Sequence, residues 1–150
     1  MNNKKVQKVY IDNGFGFPVQ ILNAPFKKVR NSWVLDLNLE VYEENILLAV
    51  AQKRSRLTGN EVRFVRQSFS MTTTEFGKRF GDNKHSAVLN WEKKSDTATK
   101  MNWATEKDIR LAIIEKIKPK MIIKLYKDLE ESLPERKRNI KISAEDLFAA

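Results

Sequence analysis

The chain predicts an α+β protein: a small N-terminal antiparallel β module with one helix, then an all-α region with a C-terminal helical extension. Two observations carry that reading. The first forty residues hold short β-rich runs punctuated by turn residues: Lys8-Val9-Tyr10-Ile11 before Asp12-Asn13-Gly14, and Phe17-Pro18-Val19-Gln20-Ile21-Leu22 before Asn23-Ala24-Pro25. From residue 39 onward the apolar residues recur at helical rather than alternating spacing.

A third strand run spans Phe26 to Leu37, with Arg30-Asn31 as its hairpin turn. Two or three strands alone bury too little surface to be stable, so a helix must cover one face. Leu39 to about Arg54 supplies it, with Val41, Tyr42, Ile46, Leu47, Ala49 and Val50 on one stripe. Glu40, Glu43 and Glu44 at its start and Lys53-Arg54 at its end complement the helix dipole. Residues 1–56 form this module. Gly14-Phe15-Gly16-Phe17 lacks the third glycine of a dinucleotide-binding loop and reads as a turn.

Residues 57–118 read as a helix-turn-helix domain. Thr58 caps a first helix with Val62, Val65 and Phe69 on one face. Thr72 and Glu75 form a capping box for a second, with Phe76 and Phe80 four apart, Gly77 permitting close approach and Gly81 ending it. A third helix, starting near Asp82 or Asn83, buries Val88 and Trp91 and turns Lys84, His85, Ser86, Ala87, Asn90 and Lys93 outward. A longer helix starts at a Thr105/Asp108 cap and carries Ile109, Ala112, Ile113 and Ile117, until Pro119 breaks it. In residues 119–150, Met121, Ile122, Leu125 and Leu129 resume the stripe as far as Leu133-Pro134. A basic run, Arg136-Lys137-Arg138, follows, with Ser143 capping a last turn through Phe148.

Composition narrows the function. Hydrophobic residues at 41% and charged residues at 31% suit a globular chain rather than a disordered one. With no cysteine and one histidine, disulfides, thiol nucleophiles and Cys-based zinc are excluded, and neither a metal nor a cofactor is expected. No nucleophile–base pair or phosphate loop is present to suggest an enzyme. The net charge of +9 attracts a polyanion. Residues 53–100 contribute most, with eleven Lys/Arg against five acidic residues. No apolar run reaches the ~20 residues of a membrane span. Met1-Asn2-Asn3-Lys4-Lys5 does not open a signal peptide, so a cytoplasmic protein without membrane contact is expected.

The pattern suits duplex DNA. The second helix would cross the backbone, with Thr72 and Thr73 donating to phosphates. The third would enter the major groove, where Asn90 suits adenine. Lys78, Arg79, Lys84, Lys93 and Lys94 would supply the phosphate term.

Three segments also resemble the Xre/Cro-type domain of the MqsA/YgiT-like antitoxin and regulator family: Leu57-Thr58-Gly59-Asn60-Glu61-Val62-Arg63-Phe64-Val65-Arg66, Met71-Thr72-Thr73-Thr74-Glu75-Phe76-Gly77 and Asn90-Trp91-Glu92-Lys93. The resemblance covers residues 57–117. It implies a five-helix DNA-binding domain that dimerises on a palindromic operator and represses its own operon. It also implies a cognate toxin as possible partner and base-reading positions at His85, Ser86, Ala87 and Asn90. The paired CxxC motifs that hold zinc in many such proteins have no counterpart here, so zinc is not carried over. The Gly81–Trp91 interval is one residue longer than the family's, which shifts the register of the reading positions. The competing expectation is a protein-interaction module or scaffold, whose helical C-terminal region binds a protein partner without DNA.

Overall fold

The computed structural model describes residues 2–136 and 138–147. It is a mixed α+β protein, with a four-stranded sheet and six α-helices among the described residues. The chain divides into two compact units, Met1–Ala49 with Asn139–Ala150, and Val50–Arg138. No helix among the described residues is long and apolar enough to cross a membrane.

The first unit is built on β1 (Lys4–Asp12), β2 (Val19–Val29), β3 (Ser32–Leu35) and β4 (Ile140–Ser143), with α1 (Leu39–Gln52) beginning in it. β1 pairs antiparallel with β2 from Lys4↔Lys27 to Asp12↔Val19. β3 pairs antiparallel with the end of β2 through the Arg30-Asn31 turn. Both turn residues have left-handed φ, +50° and +64°, which matches the right-handed twist of the strands they join.

The expected stop at Asn23-Ala24-Pro25 is not there, because β2 runs straight through it. Asn23 takes a φ of +56°, and the buried set changes parity around it, from Val19 and Ile21 to Ala24 and Phe26. Pro25 has no N–H to donate, but its carbonyl accepts from Asp36 N at 2.9 Å.

The largest departure lies at the C-terminus. Ile140–Ser143, expected as tail and cap, is a strand parallel to β2, with Val19↔Ile140 and Leu22↔Ser143 in register. Since β1 occupies one edge of β2 over its length, β3 and β4 share the other edge. Ser143 closes β4 ahead of a 3-10 turn, Ala144–Leu147, whereas Phe148 and Lys137 lie outside the described residues. Tyr42 of α1 donates its hydroxyl to Asp12 Oδ2 at 2.8 Å, and its ring stands edge-on to Phe15. Burial, reinforced by the Asp12 carboxylate, pushes the Tyr42 phenol above its ordinary value.

The second unit holds α2 (Gly59–Ser68), α3 (Thr73–Arg79), α4 (His85–Glu92), α5 (Trp103–Ile117) and α6 (Ile122–Asp128). Val62, Val65, Phe76, Phe80, Val88, Ile109, Ile113, Ile114, Leu125 and Leu129 are buried. Pro119 separates α5 from α6 by a 3-10 turn, as its missing donor requires. The α5 cap differs from expectation. Asn102 accepts from Ala104 N at 2.8 Å, and Thr105 is buried one turn inside the helix. Lys53 differs too. It does not sit in solvent at the end of α1 but is buried against Glu61, 2.7 Å away.

Ile140 is buried although it arrives from more than a hundred residues away in sequence. Ile140→Ala should destabilise the first unit by about 2–5 kcal/mol. Hydrogen exchange should show faster exchange in β2 while α2–α5 keep their protection; unchanged β2 protection would contradict the pairing.

Candidate functional site

The site grows from two capping boxes. Thr58 accepts from Glu61 N while Glu61 accepts from Thr58 N, which fixes the start of α2. Thr72 and Glu75 repeat the arrangement at α3, with bonds of 3.1 and 3.0 Å. A hydroxyl that accepts in a cap keeps its own proton to donate, so exposed Thr72 presents a donor at the helix start. Thr73, the first residue of α3, is half-buried.

Between α3 and α4 the chain turns within residues 80–84. Gly81 and Asp82 both have left-handed φ, +81° and +50°. Asn83 then locks the turn: its N–H donates to Gly77 O at 2.7 Å, and its side-chain amide donates to Phe80 O at 2.9 Å. These bonds consume Asn83, so α4 starts at His85 with Lys84 as an N-cap lacking a side-chain bond, later than Asp82 or Asn83. A Cβ at Gly77 would lie 2.6 Å from Asn83 O, so only glycine lets α3 meet this turn. Gly59 serves the α2–α4 join in the same way, since its Cβ would lie 2.5 Å from Trp91 O.

α4 is held from behind at three points. Val88 and Trp91 are buried, and Glu92, 3% exposed, receives Arg66 Nη2 at 2.9 Å and Arg63 Nε at 3.2 Å. The opposite stripe is open: Lys84, His85, Ser86, Asn90 and Lys93 are exposed, and Ala87 is half-buried at its border. Leu89, unremarked in the sequence, stands on the same stripe and is 44% exposed. Glu92 is the only carboxylate of α4, and it is turned away and neutralised, leaving the open stripe free of negative charge. Lys78 and Lys94 are exposed nearby. Arg79, expected among the free cations, pairs with Asp108 at 3.1 Å and lies over the Phe80 ring.

Behind these helices lies a charged network that the sequence reading missed. Glu106 and Arg110, one turn apart on α5, are both 0% exposed and joined at 3.0 Å. Arg110 also donates to the carbonyls of Ala51, Lys53 and Ser55. Burial lowers the Arg110 pKa, and Glu106 acts to restore it. A usable signal did exist: Glu106 and Arg110 are four apart and share the helix face of Ile109 and Ile113, and opposite charges at that spacing on an inward face pair with each other. Among the described residues no group of three or more His, Asp or Glu side chains is placed to hold a metal ion. No family model, curated protein or solved structure matches the chain.

Gly77→Ala should cost about 1–3 kcal/mol, because backbone rather than a flexible side chain must move; urea unfolding followed by tryptophan fluorescence measures it. The Thr72 backbone N–H, and then its side chain, hold the Glu75 carboxyl below its ordinary pKa. A lowered folded value means the cap is complete above the ordinary glutamate range and is lost as pH falls through the lowered value. The Thr72 amide shift should therefore titrate with a midpoint below that of an unperturbed glutamate, and in Glu75→Gln it should not titrate.

Proposed function

We propose that residues 57–118 form an Xre/Cro-type helix-turn-helix that binds duplex DNA, and that the chain is a sequence-specific transcriptional regulator of the MqsA/YgiT-like kind. α3 lies across the phosphate backbone, with Thr72 and Thr73 donating to phosphate oxygens. α4 enters the major groove. Lys84 and Lys93 contact phosphates, while His85, Ser86, Ala87 and Asn90 face base edges.

The observation that carries this reading is the open stripe of α4. It combines hydrogen-bonding side chains and cations, excludes carboxylate, and rests on a helix anchored by Val88, Trp91 and Glu92. The first turn of α4 also holds no acid, so the positive end of its dipole stays available to a phosphate. An enzyme is not proposed.

The proposal extends to a homodimer on a palindromic operator, with reading helices about 34 Å apart, one turn of duplex. An autorepressing antitoxin with a cognate toxin is what the sequence resemblance implies, and a cytoplasmic location is proposed with it. One observation favours the protein-interaction reading instead: Ile123 and Tyr126 of α6 are exposed, at 68% and 52%. On a regulator the same residues would serve a protein contact alongside DNA.

Salt separates the two. DNA affinity measured by fluorescence anisotropy should fall by about 10³-fold or more between 50 and 200 mM salt if six or more phosphates are contacted. A salt-independent affinity, or none at low salt, would sink the DNA reading. On the preferred site Asn90→Ala should cost about 1–3 kcal/mol and relax base preference, whereas Lys93→Ala should weaken all sequences alike.

A further inference from the structure

We infer that Leu89 is a specificity-determining residue, which selects a thymine in the operator by packing on its 5-methyl group. The inference rests on the DNA-binding reading above and deepens it. On α4 the residues His85, Leu89 and Lys93 succeed one another at four-residue spacing, flanked by Ser86 and Asn90. Leu89 therefore stands near the middle of the open stripe. It is 44% exposed, whereas Val88 beside it is fully buried.

Leu89 does not fill the core, because Val88 and Trp91 close α4 against its neighbours and Glu92 completes the inner face. An isolated surface leucine is commonplace. This one differs in its setting: apart from Ala87 at the border, the other residues of the stripe are polar or cationic, and exposed Lys84, Lys93 and Lys94 flank the two ends of α4. Those cations suit a polyanion better than an apolar protein surface. The thymine methyl is the apolar group that a base pair presents in the major groove, and it is absent from the other three bases.

Asn90, the next residue, projects about 100° further round the helix, toward a neighbouring base pair. If Asn90 takes adenine through N6 and N7, Leu89 meets a methyl on the adjacent step. The predicted half-site thus contains an adenine beside a contacted thymine.

The test uses the full chain and a duplex selected by it from a randomised 20-base-pair pool. Each thymine of that duplex is replaced singly by deoxyuridine, which removes the methyl and leaves the hydrogen-bonding edge intact. Affinity should drop about four-fold at one or two positions, the value of a buried methyl-sized group. Leu89→Ala should lose a similar factor on the thymine duplex and be indifferent to deoxyuridine at those positions. Circular dichroism checks that the variant folds, and the deoxyuridine series on the unmodified chain needs no variant. Uniform affinity across the series, or an undiminished deoxyuridine penalty in Leu89→Ala, overturns the inference while leaving DNA binding intact. A pool that yields no duplex bound better than random overturns the sequence-specific reading, and this inference with it.

Discussion

The second unit depends on one buried carboxylate, Glu106. Taking a carboxylate fully out of water costs several kcal/mol unless opposite charge and hydrogen bonds follow it inside. Both follow here. Arg110 meets one oxygen of Glu106, and Arg56 Nε, at 2.8 Å, and Leu57 N, at 3.3 Å, meet the other. Arg110 spends its remaining donors on the carbonyls of Ala51, Lys53 and Ser55, at or just beyond the end of α1. Carbonyls at a helix end lack partners within the helix, and here a guanidinium from α5 supplies them. A single helical turn of α5 thus fixes the path of residues 51–57. That turn makes the bonds specific rather than merely strong, since such ion pairs add little net stability over a well-packed apolar core.

From this anchor the geometry passes outward in steps. The path of residues 51–57 delivers Thr58 to its cap and Lys53 to Glu61. Gly59 allows the start of α2 to press on the end of α4, where Gly59 N and Asn60 N donate to Thr97 O and Ser95 O. α2 in turn carries Arg63 and Arg66 to Glu92. Each buried carboxylate (Glu61, Glu92 and Glu106) is neutralised within the fold, so the excess of positive charge is left to the surface lysines. The inside of the unit and the charge of its outer stripe are two results of the same pairing.

Features set by neighbouring residues were legible in the sequence. Thr72 with Glu75, the Arg30-Asn31 hairpin, Gly77, Gly81 and the Pro119 break all act within a few residues, and each was found where expected. Features set by distant partners were not. β4 alternates apolar and polar residues over Ile140-Lys141-Ile142-Ser143, but four residues are too short a run to name a strand, and its register comes from β2 at the other end of the chain. Thr105 offered a good capping pattern but lost to Asn102, because its side chain is buried and the helix begins a turn earlier. Lys53 looked like a dipole-complementing base, yet Glu61 captures it. Of the candidate site, the outward positions were readable from helical spacing, with Ala87 less open than supposed. Leu89 escaped because an apolar residue on a helix is read first as core.

The anchoring of α4 bears on what such a short element can do. Eight residues form no stable helix in water, because nucleation costs more than two turns of hydrogen bonds return. Its shape must be imposed by the fold, and three inward side chains impose it: Val88 and Trp91 by packing, Glu92 by charge. The locked turn at Asn83 fixes the other end. A side chain on a helix clamped at both ends keeps its direction, and a base edge is discriminated only by groups held within a fraction of an ångström of the right place. The same clamp spares the stripe any structural duty. Lys84, His85, Ser86, Leu89, Asn90 and Lys93 are therefore free to vary in sequence without loss of the fold, as the proposed reading surface requires.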